Sequence, residues 1–159
     1  MMKAGVRMAS DEEIYAYMRR ILTATETSKR LLGNVFQSLL AKQQLELTMP
    51  QFYMLYLINE QEPCKLTRLA EQMEVKPSAI TVMLDRLVQS GQVMRSSDDK
   101  DRRVVLVQLT DKGREAFEQA RRIRREMMQR LLAHFDLPEL EAFTNSLEKI
   151  ARLAAEENR

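Results

Sequence analysis

The chain of 159 residues is poor in the side chains that carry most enzyme chemistry. It contains one cysteine, one histidine, four glycines and no tryptophan. One cysteine excludes an internal disulfide, and one cysteine with one histidine cannot supply the usual ligands of a metal site. The sequence shows no glycine-rich phosphate loop, no Ser–His or Cys–His pairing and no paired-carboxylate motif. We therefore expect a protein that is not an enzyme and that binds neither a metal nor a cofactor.

Long hydrophobic runs are also missing. The longest apolar runs fall far short of the roughly 20 residues that a membrane span requires. Residues 1–10, MMKAGVRMAS, lack the apolar core of a signal peptide. We expect a cytoplasmic protein with no membrane partner. A composition of 45% apolar and 30% charged residues predicts one globular domain. The net charge of +2 is too small to indicate a nucleic-acid partner by itself, so any argument for such a partner must rest on where the charges lie.

Residues 67–109 contain two short helical patterns joined by a tight turn. Thr67–Met73 has apolar residues at helical spacing, and Glu74-Val75 forms the turn. Pro77 suits the first position of a second helix, because its φ is fixed and its missing N–H costs nothing there. Gly91 suits the left-handed residue that ends a helix. The apolar stripe of the second helix consists of Ile80, Leu84, Leu87 and Val88. This pattern predicts a helix-turn-helix.

A charged segment flanked by two apolar runs follows. Val93-Met94 and Val104–Val107 are apolar or β-branched, and Ser96–Arg103 lies between them. This pattern predicts a two-stranded ribbon with a polar tip, called a wing. We expect Asp101, together with either Asp98 or Asp99, to pair with an arginine and fix the loop shape, and we take Asp98 and Asp101 as the wing-shaping residues. Exposed ion pairs contribute only about 0–1 kcal/mol, so this role is orientation. Cys64–Leu66 is a candidate short strand that pairs with the wing.

A helix-turn-helix with a charged wing suits duplex DNA. A helix fits the major groove, where its N-terminal residues meet base edges, and a basic tip reaches the adjacent backbone or minor groove. A wing tip used only as a solvated loop is the alternative. The candidate DNA-binding residues are Lys76, Ser78, Ala79, Thr81, Val82 and Arg86 on the second helix and Lys100, Arg102 and Arg103 in the wing.

Amphipathic patterns precede and follow this lobe. Ser10 and Glu13 form a capping box before a long helix, Met49-Pro50 begins a core helix, and Thr110 caps a helix that extends to about His134. A last helix covers residues 138–156. We predict a mainly α fold with a small β-ribbon (α+β), in which residues 1–159 form one domain. Residues 49–109 form the winged helix-turn-helix lobe, and 10–46 and 111–156 form terminal dimerisation helices. The partner is a second copy of the chain, packed about a twofold axis.

The motifs together carry a family resemblance. The run D-D-K-D-R-R-V-V-L-V-Q-L-T-D-K-G, residues 98–113, resembles the wing signature of the MarR family of winged-helix transcriptional regulators. The run L-A-E-Q-M-E-V-K-P-S-A-I-T-V-M-L-D-R-L-V-Q-S-G-Q-V, residues 69–93, resembles the helix-turn-helix of that family. The resemblance covers nearly the whole chain. Two positions depart from it, since glycine is common where Glu74 stands and a Ser or Thr cap is common where Lys76 stands.

The resemblance implies a sequence-specific regulator that binds double-stranded DNA. Such a protein acts as a homodimer on an inverted-repeat operator, and we expect a repressor that responds to a small aromatic or lipophilic effector. The alternative is a winged-helix adaptor that binds protein partners without DNA. Cys64 is expected to be a buried small hydrophobe. The Arg121–Arg125 cluster is either a solvated helix face or a contact to phosphate or to acidic groups of the partner. Candidate effector-binding residues are Tyr17, Phe36, Tyr53 and Tyr56.

Overall fold

The structure, a computed structural model, describes residues 7–98 and 101–157. Asp99 and Lys100 of the predicted wing tip lie outside the described residues. The elements are α1 (Asp11–Lys42), α2 (Met49–Glu60), β1 (Cys64–Lys65), α3 (Leu66–Gln72), α4 (Pro77–Gln89), β2 (Val93–Ser97), β3 (Val105–Leu109), α5 (Asp111–Leu132) and α6 (Leu137–Glu157). The predicted class, mainly helical with a small antiparallel ribbon, is confirmed.

The chain divides into two compact units, one extending to Pro50 and the other beginning at Gln51. The first unit contains α1, whose start is the predicted capping box. Ser10 Oγ accepts from the backbone N–H of Glu13 at 3.3 Å, and the Glu13 carboxylate accepts from the backbone N–H of Ser10 at 2.9 Å. The backbone N–H and the hydroxyl of Ser10 both donate to the Glu13 carboxylate, and together with the guanidinium of Arg7 they lower its pKa. The buried residues of α1 are Phe36 and Leu40.

The second unit contains the helix-turn-helix, formed by α3 and α4. After α3, the N–H of Val75 donates to the carbonyl of Ala70 at 3.2 Å, and Glu74 has a φ of 52°. This is a Schellman ending, in which Glu74 occupies the left-handed position that glycine usually takes. Pro77 follows Lys76, which is the N-cap of α4 and makes no side-chain capping bond. The predicted helix-turn-helix is confirmed, with α3 starting and ending one residue earlier.

The wing belongs to a three-stranded antiparallel sheet in the order β1-β3-β2. Cys64 pairs with Val107, as expected for a short strand, although Leu66 already begins α3. The prediction that Ser96 and Ser97 lie in the tip is wrong, because both belong to β2 and pair with β3. The ladder is held by backbone groups, and these edge-strand side chains are exposed, so their polarity does not end the strand. β3 begins at Val105 and not at the predicted Val104. It continues past the predicted Val107 to Leu109, because Gln108 and Leu109 pair with Met94 and Val93 of β2.

Apolar residues from α2, α4, the sheet and α5 form the core of the second unit. Ile80, Leu84 and Leu87 of the α4 stripe are buried, and Val88 is half-buried. The largest buried ring of α5, Phe117, stacks on Phe52 with ring centroids 5.8 Å apart. The helix α4 therefore enters this core through a single apolar face.

The start of α5 lies in close contact with the backbone of Gln92, the residue before β2. Thr110 caps α5 by accepting from the N–H of Gly113 at 3.0 Å, and the N–H of Thr110 donates to the carbonyl of Gln92 at 3.1 Å. A Cβ added to Gly113 would overlap this carbonyl. Gly113, the last residue of the wing run 98–113, is therefore required by the approach of α5 to the residue before β2.

The last two helices differ in burial. α5 buries residues from Gly113 to Met127 and ends at Leu132, two residues before the predicted His134. α6 buries none, and its apolar stripe of Phe143, Leu147, Ile150 and Leu153 is about half exposed. No helix within the described residues is long and apolar enough to cross a membrane.

The Gly113 contact predicts opposite effects of one substitution at two helical glycines. Gly113→Ala should lower the free energy of unfolding by about 2–3 kcal/mol, because the Gln92 carbonyl is held by Thr110 and cannot move away freely. Gly33→Ala in α1 has nothing within 4 Å of the added methyl and should raise it by about 0.5–1 kcal/mol. Urea unfolding followed by circular dichroism measures both. Equal effects at the two sites would contradict the close approach.

Candidate nucleic-acid interface

One side of α4 faces solvent while the other enters the core. The side opposite Ile80, Leu84 and Leu87 carries the predicted contacts, and the apolar Val82 among them is 54% exposed. The exposed candidates on α4 and at its N-cap are Lys76, Ser78, Ala79, Thr81, Val82 and Arg86. A cation at the N-cap, short hydroxyls and an apolar side chain can meet phosphates, base edges and thymine methyls.

Hydrogen bonds between residues two or three positions apart connect the described residues of the wing tip. Asp98 Oδ1 accepts from the backbone N–H of Asp101 at 3.2 Å. Asp101 Oδ1 accepts from the backbone N–H of Arg103 at 3.0 Å and from its Nε at 3.3 Å. The Arg103 side chain is nevertheless 93% exposed, and Arg102 is exposed as well. The two carboxylates therefore connect Asp98 to Asp101 and Asp101 to Arg103 without covering the guanidinium of Arg103.

An ion pair between α4 and the wing was not predicted. Arg95 of β2 donates through Nη2 to Asp85 Oδ1 of α4 at 2.6 Å. Alternation along a strand that continues to Ser97 places residue 95 on the same face as Val93, so the sequence did contain a signal for this contact. It was missed because the predicted strand stopped at Met94.

Two further contacts hold the base of the wing. The Glu62 carboxylate accepts from the N–H of Leu109 at 2.6 Å and pairs with Arg114 of α5, also at 2.6 Å. This bond raises the pKa of the Arg114 guanidinium. Lys112 Nζ donates to the carbonyl of Ser90 at 2.7 Å, at the end of α4. The ends of α4, β3 and α5 are thus linked to one another.

The structure separates the predicted effector residues into two groups. In the second unit, Tyr53 and Tyr56 stack at 6.1 Å, and Tyr56 contacts the ring of Phe117 at 6.5 Å. In the first unit, Tyr17 lies under the guanidinium of Arg20, and Phe36 is only 1% exposed. Only the tyrosines therefore offer exposed ring surface.

The arginines of α5 extend this aromatic group. The guanidinium carbon of Arg121 lies 5.9 Å from the ring centre of Phe117, and that of Arg124 lies 5.7 Å from the ring centre of Phe52. Arg121 also pairs with Glu118 at 2.9 Å. Within residues 7–98 and 101–157, Arg124 has no carboxylate partner. The Arg121–Arg125 cluster is therefore exposed and partly packed on rings.

Cys64, unlike the exposed arginines of α5, is nearly inaccessible to solvent. It is buried in β1, and burial raises the pKa of its thiol. A buried thiol of raised pKa behaves as a small apolar side chain.

The fold and the interface define a winged-helix transcription regulator, and comparison with known proteins gives its family. The model of the MarR family matches residues 47–105. The transcriptional repressor MdtR of Bacillus subtilis is 36% identical over 107 residues, which are 67% of this chain and 69% of MdtR. The regulator YfiV of the same species is 34% identical over 71% of this chain and 65% of its own. The chain belongs to the MarR family.

Solved structures agree with this assignment. A mutant of MarR from E. coli, determined in complex with operator DNA, has a TM-score of 0.67 and 28% identity and aligns over 90% of this chain and 99% of its own. A MepR-like protein complexed with pseudoligands has a TM-score of 0.54 and 35% identity, with 92% and 97% coverage.

Proposed function

We propose that this chain is a homodimeric repressor that binds an inverted repeat in duplex DNA and is released by a small aromatic anion. The observation that carries the proposal is the exposed side of α4 beside a wing whose tip is ordered by Asp98 and Asp101. In the related E. coli structure, MarR is bound to operator DNA.

The two parts of the interface have different tasks. Ser78, Thr81 and Val82 lie near the start of α4, where side chains reach base edges in the major groove. Arg102 and Arg103 supply charge to the sugar–phosphate backbone, which contributes affinity and salt dependence but little specificity. The sequence preference should therefore be determined by α4.

Two uncovered apolar faces support the homodimer. In the first unit, α1 exposes Ile14, Tyr17, Met18, Ile21 and Leu22, and in the second, α6 exposes Phe143, Leu147 and Ile150. Contiguous apolar stripes of this length are typical of an interface. A twofold dimer places two copies of α4 about 34–36 Å apart, one turn of DNA, and makes the operator an inverted repeat.

The effector proposal rests on Tyr53, Tyr56 and the nearby arginines. The tyrosine rings are partly exposed, and the ring of Tyr56 contacts Phe117. Phe117 stacks on Phe52, over which Arg124 lies without a carboxylate partner among the described residues. Ring surface next to an uncompensated guanidinium suits a planar organic anion. The MepR-like relative was solved with pseudoligands. An effector releases DNA only to the extent that it binds the DNA-free conformation more tightly.

DNA binding is tested by removing one exposed wing charge. The test uses a duplex that the wild-type protein selects from a random library, called the enriched duplex. Arg103→Ala should weaken binding to it about tenfold. The slope of log K against log salt should fall by about 0.9, the value for one phosphate. Fluorescence anisotropy at several salt concentrations measures both.

The matched control is Arg130→Ala on α5, which removes the same charge from an exposed arginine outside both the winged lobe and the Arg121–Arg125 cluster. It should leave the slope nearly unchanged. If the wild-type protein binds the enriched duplex no better than random duplex at physiological salt, the repressor proposal is wrong and an adaptor for protein partners takes its place.

The dimer is tested on α6. The double variant Leu147→Glu with Ile150→Glu should be a monomer, because both side chains are half exposed in the single chain and a charge opposes burial against a copy. Loss of the second lobe should weaken binding to the inverted repeat by about 100-fold or more. Analytical ultracentrifugation gives the mass, and Lys149→Ala on the same helix is the control. A dimeric double variant would place the interface elsewhere.

The effector site is tested with benzoate and its neutral analogue benzyl alcohol. Benzoate should raise the melting temperature and weaken duplex binding, and benzyl alcohol should do less, because it lacks the charge for Arg124. Tyr56→Leu should abolish the benzoate shift. Tyr15→Leu, which changes an exposed tyrosine of α1, should retain it. A benzoate shift that survives Tyr56→Leu would exclude this cluster.

A further inference from the structure

We propose that Arg95 binds a DNA phosphate between the recognition helix and the wing tip, and that Asp85 is the positioning residue that orients its guanidinium. The proposal rests on the proposed DNA binding and adds two residues to that interface. It starts from the 2.6 Å pair between Arg95 Nη2 and Asp85 Oδ1.

The strand register brings Arg95 to α4. Arg95 lies opposite Val107 and on the same face of β2 as Val93, and both valines are buried. Arg95 therefore projects beyond the end of the apolar core, beside the helix. On α4, Asp85 follows Thr81 by one turn and lies away from the buried stripe, on the side that carries the predicted DNA contacts.

The position of the pair indicates which part of the duplex it meets. When α4 occupies a major groove and the wing tip approaches the adjacent minor groove, the sugar–phosphate strand between the grooves must cross the segment that joins them. β2 is that segment, and Arg95 lies four residues after Gly91 and three before Asp98. A phosphate is therefore the group nearest to Arg95.

The pair of Arg95 and Asp85 is better suited to orient the guanidinium than to stabilise the fold. The side chains of Arg95 and Asp85 are 35% and 47% exposed, so the pair contributes little to folding. A lone carboxylate on a surface that meets DNA would repel phosphate. Arginine has five N–H donors in a rigid fork, so it can donate one to Asp85 and still offer others to a phosphate. Asp85 therefore restricts the guanidinium to one direction before DNA binds.

Three variants separate charge from orientation. Arg95→Ala should weaken binding to the enriched duplex by about tenfold and reduce the salt slope by about 0.9. Arg95→Lys should retain the slope but bind less tightly than wild type, because an ammonium lacks the planar fork. Asp85→Asn should weaken binding to the enriched duplex by about threefold or more and not weaken binding to random duplex of equal length, because only the exact register needs the orientation.

The control is Glu71→Gln, which removes a carboxylate from an exposed residue of α3 with no ion pair among the described residues. It should strengthen binding to both duplexes slightly, as expected for one less negative charge near a polyanion. Asp85→Asn and Glu71→Gln thus remove the same charge. Asp85→Asn should lower the ratio of affinity for the enriched duplex to affinity for the random duplex, and Glu71→Gln should leave this ratio nearly unchanged.

The proposal is overturned if Arg95→Ala leaves affinity and salt slope unchanged, or if Asp85→Asn strengthens binding to both duplexes as Glu71→Gln does. Circular dichroism melting of each variant confirms that the fold persists. Failure of the underlying DNA-binding proposal looks different, because wild-type protein would then not distinguish the enriched duplex from the random one.

Discussion

The winged lobe depends on the approach of one backbone carbonyl to one glycine. The Gln92 carbonyl accepts from the N–H of Thr110 and lies where a side chain on Gly113 would begin. Thr110 at the same time caps α5 and donates from its hydroxyl to the Gly91 carbonyl at 2.6 Å. The end of the recognition helix, both long strands of the wing and the start of α5 therefore meet within a few residues, and their relative orientation leaves little freedom.

This junction fixes the base of the small sheet that carries the proposed DNA interface. The wing extends away from the core on an edge strand, so packing alone holds only its base. The tip is ordered instead by bonds within the loop, between Asp98, Asp101 and Arg103, and the middle by the pair of Arg95 with Asp85. Each exposed interaction is weak, but together they restrict the directions of the guanidinium groups of Arg95 and Arg103, which would lower the entropy lost if these groups bind DNA as proposed.

Much of the fold was predictable because it depends on local rules. The box of Ser10 and Glu13, the position of Pro77 and the turn at Glu74 follow from capping and backbone geometry within four residues. The strand ends were predicted poorly. Ser96 and Ser97 belong to β2 because backbone pairing with β3 continues, and pairing depends on residues about ten positions away. The requirement for glycine at position 113 could not be predicted from the sequence either, since it arises from a contact with Gln92, 21 positions earlier.

The sequence by itself determined the winged helix-turn-helix, its family and the exposed side of α4, because periodicity and turn chemistry are written in neighbouring residues. Only the tertiary structure decided which charged groups meet. It paired Asp85 with Arg95, joined Glu62 to Leu109 and Arg114, and placed Arg121 and Arg124 over aromatic rings. The physical reason is that ion pairs and ring contacts act over a few ångströms between residues distant in the chain, and their partners are set by the packing of helices and strands.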